Sequence, residues 1–203
     1  MNLPNKLTTI RMGLVVLLII FLLIPYEALG MTMPIVFGNV SLLYFIGAIV
    51  FLVASITDYF DGYLARKFNL ITNYGKFMDP IADKLLVNSL LIILISPQMT
   101  GQIGVLPLFV ILMIGRDIVV DGFRLVAANQ NKVLAANIFG KLKTVLQMVA
   151  ITMYLFNDFP FSLLYGTAFP YVSFIMMGLA TVVSLLSGFI YIFQNMSVLK
   201  ESK

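Results

Sequence analysis

Apolar residues collect into six long runs along the chain, at about 8–25, 40–66, 80–96, 104–128, 135–156 and 170–195. Runs of this length predict helices. Most approach the roughly 20 residues that cross a bilayer as a helix, and in lipid a helix satisfies its own backbone polar groups. Breakers divide them: Pro25 and Pro34 bracket the first connection, Asn69 to Gly75 form the second, Pro97 to Gly104 the third and Asp158 to Pro170 the fifth. The pattern predicts an all-α integral membrane protein of six transmembrane helices, folded as one domain over residues 1–203. No soluble segment is long enough to bury its own core, and no internal repeat stands out.

Composition agrees, with 61% of the 203 residues hydrophobic and 11% charged, against roughly 25% charged in a soluble domain. Cysteine and histidine are both absent. That removes thiolate nucleophiles, disulfides, imidazole bases and histidine-ligated metals, and leaves carboxylates, amines, guanidinium groups and hydroxyls to do any chemistry. The start of the chain also has the look of a signal peptide, with Lys6 and Arg11 before an apolar run and Ala28 and Gly30 as small residues after it. The further spans favour a first transmembrane helix instead.

The 13 basic residues orient the helices. Lys6 and Arg11 precede the first, Arg66 to Lys84 surround the second connection, Arg116 to Lys143 flank the fourth, and Lys200 and Lys203 lie at the end. Glu27 and Asp158 are the charges of the other connections. The positive-inside rule therefore predicts a multi-pass cell-membrane protein with both termini in the cytoplasm. The net charge of +4 follows from this topology and from attraction to anionic headgroups, without nucleic acid as a partner.

Against that background four aspartates stand out in "SITDYFDGYLARKFNLITNYGKFMDPIADKLL", Ser55 to Leu86. Asp58 and Asp61 share a face at the end of helix two, and Asp79 and Asp83 share one at the start of helix three. The short connection makes these helices antiparallel neighbours, so the four carboxylates can converge. Each aspartate at a helix centre costs about 2.5–3.5 kcal/mol on insertion scales, and like charges repel, so compensation is required. Two divalent cations would supply it, and oxygen-only ligands suit magnesium or manganese, with calcium less apt. Taken singly the acids have plainer readings: Asp79 before Pro80 as a helix cap, Asp58 paired with Arg66 or Lys84. Gly62 beside them fits a helix contact or leaves room for a ligand.

The pattern Asp58-x-x-Asp61-Gly62-x-x-Ala65-Arg66, then eight residues, then Gly75-x-x-x-Asp79-x-x-x-Asp83 resembles the signature of the CDP-alcohol phosphotransferase family. The resemblance implies a transferase that moves a phosphatidyl or similar group from a CDP-linked donor to an alcohol with release of CMP, usually as a homodimer. It implies that Asp58, Asp61, Asp79 and Asp83 bind the metals at the cytoplasmic side and that Asp83 is also the base. Gly62, Ala65, Arg66 and Gly75 would line the CMP end of the donor.

A second cluster runs from Ile114 to Thr144. Arg116 and Arg124 lie eight apart, near one helical face, and Lys141 and Lys143 open helix five, so these cations can form a pocket for an acceptor phosphate. Alternatively Arg116 pairs with Asp117 or Asp121, and Lys132 and Lys143 face headgroups. This cluster and the opening "NLPNKLTTIR" are similar to the branch of the family that joins CDP-diacylglycerol to glycerol 3-phosphate. Asn5 and Thr8 are possible substrate contacts, or a cap and a turn residue. Inositol phosphate, serine or a phosphatidyl group are alternative acceptors for the same metal centre. A cation-coupled transporter is the alternative from another class, with its acids as an ion path.

Overall fold

A computed structural model describes residues 3–26, 28–38, 40–68, 72–96, 104–130, 138–165 and 171–196, with the side chains of 3, 4, 59, 61, 63–66, 76 and 165 outside that description. The elements are α1 (Leu3–Leu23), β1 (Ile35–Phe37), β2 (Val40–Ser41), α2 (Leu42–Lys67), α3 (Asn73–Ile93), α4 (Pro107–Asn129), α5 (Ile138–Leu155), α6 (Ser162–Tyr165) and α7 (Tyr171–Gln194). Among the described residues, six long helices follow the six apolar runs. Of these, α1, α5 and α7 are long and apolar enough to cross a membrane, whereas the apolar part of α2, Leu42–Asp58, is shorter. Charged side chains interrupt the apolar character of α3 and α4: Asp79, Asp83 and Lys84 in the first, Arg116, Asp117, Asp121 and Arg124 in the second.

Two features differ from the pattern-based expectation. Helix α3 begins at Asn73, not near residue 80, because Thr72 caps it: its hydroxyl accepts the Gly75 N–H at 3.1 Å. Asp79 and Pro80 therefore lie within the helix, and Asp79 is no cap. The first connection contains a small antiparallel ribbon in which Ile35 faces Ser41 and Phe37 faces Val40. Gly38 at its turn has φ +54°, a left-handed value that glycine takes without strain.

The chain forms two compact units, residues 1–104 with 152–170 and residues 105–151 with 171–203. In the first unit α1 packs along both α2 and α3, while α2 and α3 touch each other far less. The buried positions of α1 explain how. Asn5, Thr8, Arg11, Val15, Leu18 and Leu22 recur every three or four residues and so form one stripe. Its first half is polar and its second half apolar. At the apolar end Leu22 fits beside Gly47 of α2. Such close fit, rather than expulsion from water, holds helices together in lipid. The ribbon's Phe37 packs on Phe45, Phe156 and Phe159.

The second unit is built on α4 against α7. The buried face of α7 is mostly small: Ser173, Ala180, Thr181, Ser184, Ser187 and Gly188, with Met177 and Tyr191 among them. Small residues let backbones approach closely. Against this face α4 presents Val110, Met113, Val120, Phe123 and Ala127, and Phe123 meets Tyr191 edge-on at 6.3 Å.

Candidate active site

In the first unit the polar half of the α1 stripe faces the aspartates. Asp58 of α2 forms an ion pair with Nη1 of Arg11, and Asp79 of α3 lies 3.7 Å from Nη2 of the same guanidinium. Thr8, one turn before Arg11, donates to Asp79 Oδ1 at 2.9 Å. The side chain of Arg11 is 2% exposed, those of Asp58 and Asp79 36% and 47%. Two carboxylates from two helices thus meet one buried cation supplied by a third. Beyond the expected neighbourhood of α2 and α3, α1 packs on both and its Arg11 carries the link between Asp58 and Asp79. Asp58 takes its ion pair from Arg11, a residue read beforehand only as an orientation signal.

The same helix fixes the start of α3. Thr72 donates to Asn5 Oδ1 at 2.7 Å while accepting from the Gly75 N–H, so its one hydroxyl serves both as cap and as tie to α1. Thr9 donates to the Asn5 carbonyl at 2.9 Å. That uses its only proton, so Tyr74 is the donor in the 3.0 Å contact between their hydroxyls. Asn5 and Thr8 are both buried and both spend hydrogen bonds on positioning α3. A side chain added at Gly75 would stand 3.7 Å from Asp79 Oδ2, so glycine there keeps the approach to that carboxylate open.

Asp83 is half-buried one turn after Asp79, and Gly62 is half-buried one turn after Asp58. Asp61, Ala65 and Arg66 belong to α2 by their backbone, and their side chains lie outside the described ones. Among the described residues no three acids group tightly enough to enclose a metal. The donor set nevertheless suits one. It offers carboxylate oxygens, the hard donors that such ions take, and Asp58 and Asp79 already converge on a positive group.

The second unit holds a different cluster. Arg116 donates to Asp117 Oδ1 at 2.8 Å, to the Ser184 carbonyl at 3.1 Å and to Ser187 Oγ at 2.8 Å. Gly188 makes room for it, since a Cβ there would lie 2.8 Å from Arg116 Cγ. Lys143 reaches both oxygens of Asp117, at 2.7 and 2.5 Å. The expectation that Lys143 faces headgroups is thereby corrected: it is buried in an ion pair. Arg124 is exposed, donates to Tyr191 Oη at 3.3 Å and sits 5.3 Å over that ring. Lys141 is exposed on the first turn of α5, and Lys132 lies outside the described residues.

Comparison with known proteins is consistent along nearly the whole chain. A family model described as CDP-alcohol phosphatidyltransferase matches residues 1–186. A Bacillus subtilis protein is 40% identical over 202 residues, covering 99% of this chain and 98% of its own. A Mycoplasma pneumoniae protein is 40% identical over 166 residues, 80% of this chain and 70% of its own. One from Rickettsia typhi is 34% identical over 190 residues, 94% of each. All three bear the name CDP-diacylglycerol–glycerol-3-phosphate 3-phosphatidyltransferase.

Proposed function

The chain belongs to the CDP-alcohol phosphatidyltransferase family, and from that membership we propose that it transfers the phosphatidyl group of CDP-diacylglycerol to glycerol 3-phosphate, giving phosphatidylglycerol phosphate and CMP. The observation that carries the reading is the meeting of Asp58 and Asp79 at Arg11, joined to the shared name of relatives that match most of the chain. A hydroxyl oxygen of the acceptor attacks the phosphatidyl phosphorus. The bond from that phosphorus to the bridging pyrophosphate oxygen breaks, and CMP leaves with the electron pair.

Asp58, Asp61, Asp79 and Asp83 would hold two divalent ions, magnesium or manganese. Such ions, when bound, neutralise charge on the attacking and leaving oxygens of a phosphoryl transfer. Asp83 takes the hydroxyl proton as general base. Arg11 and Thr8 hold Asp58 and Asp79 in place. Gly62, Ala65, Arg66 and Gly75 make the wall for the CMP end of the donor. Among the cations of the second unit, Arg124 and Lys141 are exposed and available to an acceptor phosphate, while Arg116 supports the same role by bracing α4 on α7.

The rest of the reading is of one piece with this. All six long helices span the membrane, both termini and the carboxylates face the cytoplasm, and two copies pair. Residues 1–203 act as one domain, a reading supported by the one of three chain crossings between the compact units that falls inside the continuous helix α5. Family membership sets the transporter alternative aside. The test is CMP release from CDP-diacylglycerol by the purified protein. Release that depends on both glycerol 3-phosphate and a divalent metal is expected; equal release with serine or inositol phosphate overturns the acceptor, and none with any acceptor overturns the activity.

A further inference from the structure

Measured from the carboxylates, the helices of the first unit are short for a bilayer. Asp58 and Asp79 reach solvent, and charged side chains on spanning helices belong where water meets them. Arg11, which holds both acids, is twelve residues from the end of α1 at Leu23, and Asp58 is sixteen from the start of α2 at Leu42. Those stretches reach about 18 and 24 Å at 1.5 Å per residue, and tilt only shortens them. A hydrocarbon core is about 30 Å thick, so about 6–12 Å of it lies beyond the ends of both helices.

At that end stand the β1–β2 ribbon and, beside it, α6. Phe37 seats the ribbon on Phe45 of α2 and on Phe156 and Phe159. Gly38 closes against the Phe159 ring, which an added Cβ would meet at 3.3 Å, and α6 begins three residues after Phe159. Around this aromatic seat Leu29, Met31, Ile35, Val36, Leu163 and Leu164 are all exposed. None of residues 28–38, 40, 41 and 159–164 is charged. Ile35 and Val36 point to opposite faces of their strand, so both faces are apolar, whereas a ribbon with one face in water alternates apolar with polar. The backbone also turns inward. The Leu29 N–H donates to the Pro25 and Tyr26 carbonyls at 3.2 and 3.1 Å, the Met31 N–H to the Tyr26 carbonyl at 2.9 Å and the Leu42 N–H to the Pro34 carbonyl at 2.8 Å. A connection placed in lipid needs such internal partners.

We propose that the ribbon and α6 are immersed in the leaflet opposite the carboxylates, where they supply the apolar height that α1 and α2 lack. The partner of this surface is lipid at the boundary of headgroups and acyl chains. The proposal rests on the reading that α1 and α2 span the membrane with the carboxylates at one edge, and the test separates the two. The chain has no cysteine, so single cysteines carry a nitroxide without background. Ile35→Cys and Leu164→Cys probe the proposed surface, Leu17→Cys the middle of α1 and Phe68→Cys the residue just past α2. Power-saturation EPR in nanodiscs then compares access of oxygen, which concentrates in lipid, with that of a water-soluble nickel chelate.

Oxygen should dominate severalfold at the Ile35, Leu164 and Leu17 positions, and the chelate at the Phe68 position. Chelate access at Ile35 and Leu164, with Leu17 and Phe68 as expected, overturns the proposal and spares the spanning reading. Shielding of Ile35 and Leu164 from both reagents means that protein, such as a second copy, covers the surface, and likewise overturns it. Oxygen dominating at Phe68 overturns the spanning reading and the proposal with it. Reaction with a membrane-impermeant maleimide gives a second readout. Ile35→Cys should react about tenfold more slowly than Phe68→Cys, because the thiolate is the reacting form and apolar surroundings suppress it; equal rates overturn the proposal. A single sharp peak in gel filtration reports that each variant is folded, and Val36→Cys replaces one that is not.

Discussion

Each compact unit contains an arginine facing aspartate, yet the two arrangements are opposite in design. In the second unit a single carboxylate, Asp117, lies between two cations, Arg116 and Lys143, and the side chains of all three are between 8% and 14% exposed. In the first, two carboxylates share the guanidinium of Arg11, which is buried while the acids reach solvent. The former is closed and its charges satisfied from within. The latter holds its cation inside and offers its anions outward, which is the arrangement a metal or a substrate can use. Counting acids and bases does not separate these clusters; where the burial falls does.

The largest effect should come from the open cluster. Replacing Asp83 by Asn keeps the shape of the side chain but removes a proton acceptor, so CMP release should fall roughly a thousandfold, within the range for loss of a general base. Binding of CDP-diacylglycerol, measured with a labelled nucleotide, should change little. Turnover near the wild-type rate would remove Asp83 from the role of base.

In the closed cluster the effect should appear in stability instead. Lys143→Met takes one of two cations from a carboxylate that is largely buried, and breaking such a pair costs about 3 kcal/mol. A lower Tm in detergent is expected, with CMP release at moderate temperature preserved far better than in Asp83→Asn. Asp117 keeps Arg116 as its partner in that variant, whereas adding Asp117→Asn takes the carboxylate from the largely buried Arg116 and should lower Tm further. If Lys143→Met alone leaves Tm unchanged, the pair is not what holds α5 to α4.

Arg11 tests the boundary between the two designs. Because Asp58 and Asp79 are partly exposed, solvent screens their attraction to Arg11, and Arg11→Gln should cost only about 1 kcal/mol. The useful reading is its dependence on metal. With chelator present the carboxylates of the variant face each other without their counter-ion, so Tm should drop. Magnesium should then raise Tm more in Arg11→Gln than in the wild-type protein, as ligand linkage requires when the carboxylates take up the ion. Equal metal responses would mean that Arg11 only ties helices together.

Much of this was legible beforehand, and the misses have physical causes. The six long helices followed from apolar runs because each run has the length of a helix and is set off by breakers. The first two turns of α3 were hidden because Asn73 to Asp79 is polar and Asp-Pro imitates a helix start, whereas the true cap is Thr72. The ribbon had a signal in Ile-Val-Phe before Gly-Asn and Val-Ser, a hairpin pattern, but it is too short to stand out beside helices. Arg11 was masked by its own charge, which reads as an orientation marker. Its spacing from Asn5, Thr8, Val15, Leu18 and Leu22 places it on the buried stripe, and that periodicity was the available clue. Lys143 could not be assigned to Asp117 at all, because the pairing joins residues 26 apart on different helices.

The smallest effects should separate the arginines of the second unit from one another. Arg116 already gives hydrogen bonds to Asp117, Ser184 and Ser187, so Arg116→Ala removes three hydrogen bonds, two of which tie α4 to α7, and should show mainly as a lower Tm. Arg124 is exposed, and its contact with Tyr191 leaves the guanidinium open to an anion. Arg124→Ala should therefore raise the acceptor's KM about threefold with little change in kcat, the mark of binding that is uniform through the reaction. The difference should fade in high salt, since charge attraction at an exposed site is screened beyond about 8–10 Å at ordinary ionic strength. An increase in KM for donor and acceptor alike would move Arg124 from substrate binding to the bracing role that Arg116 fills.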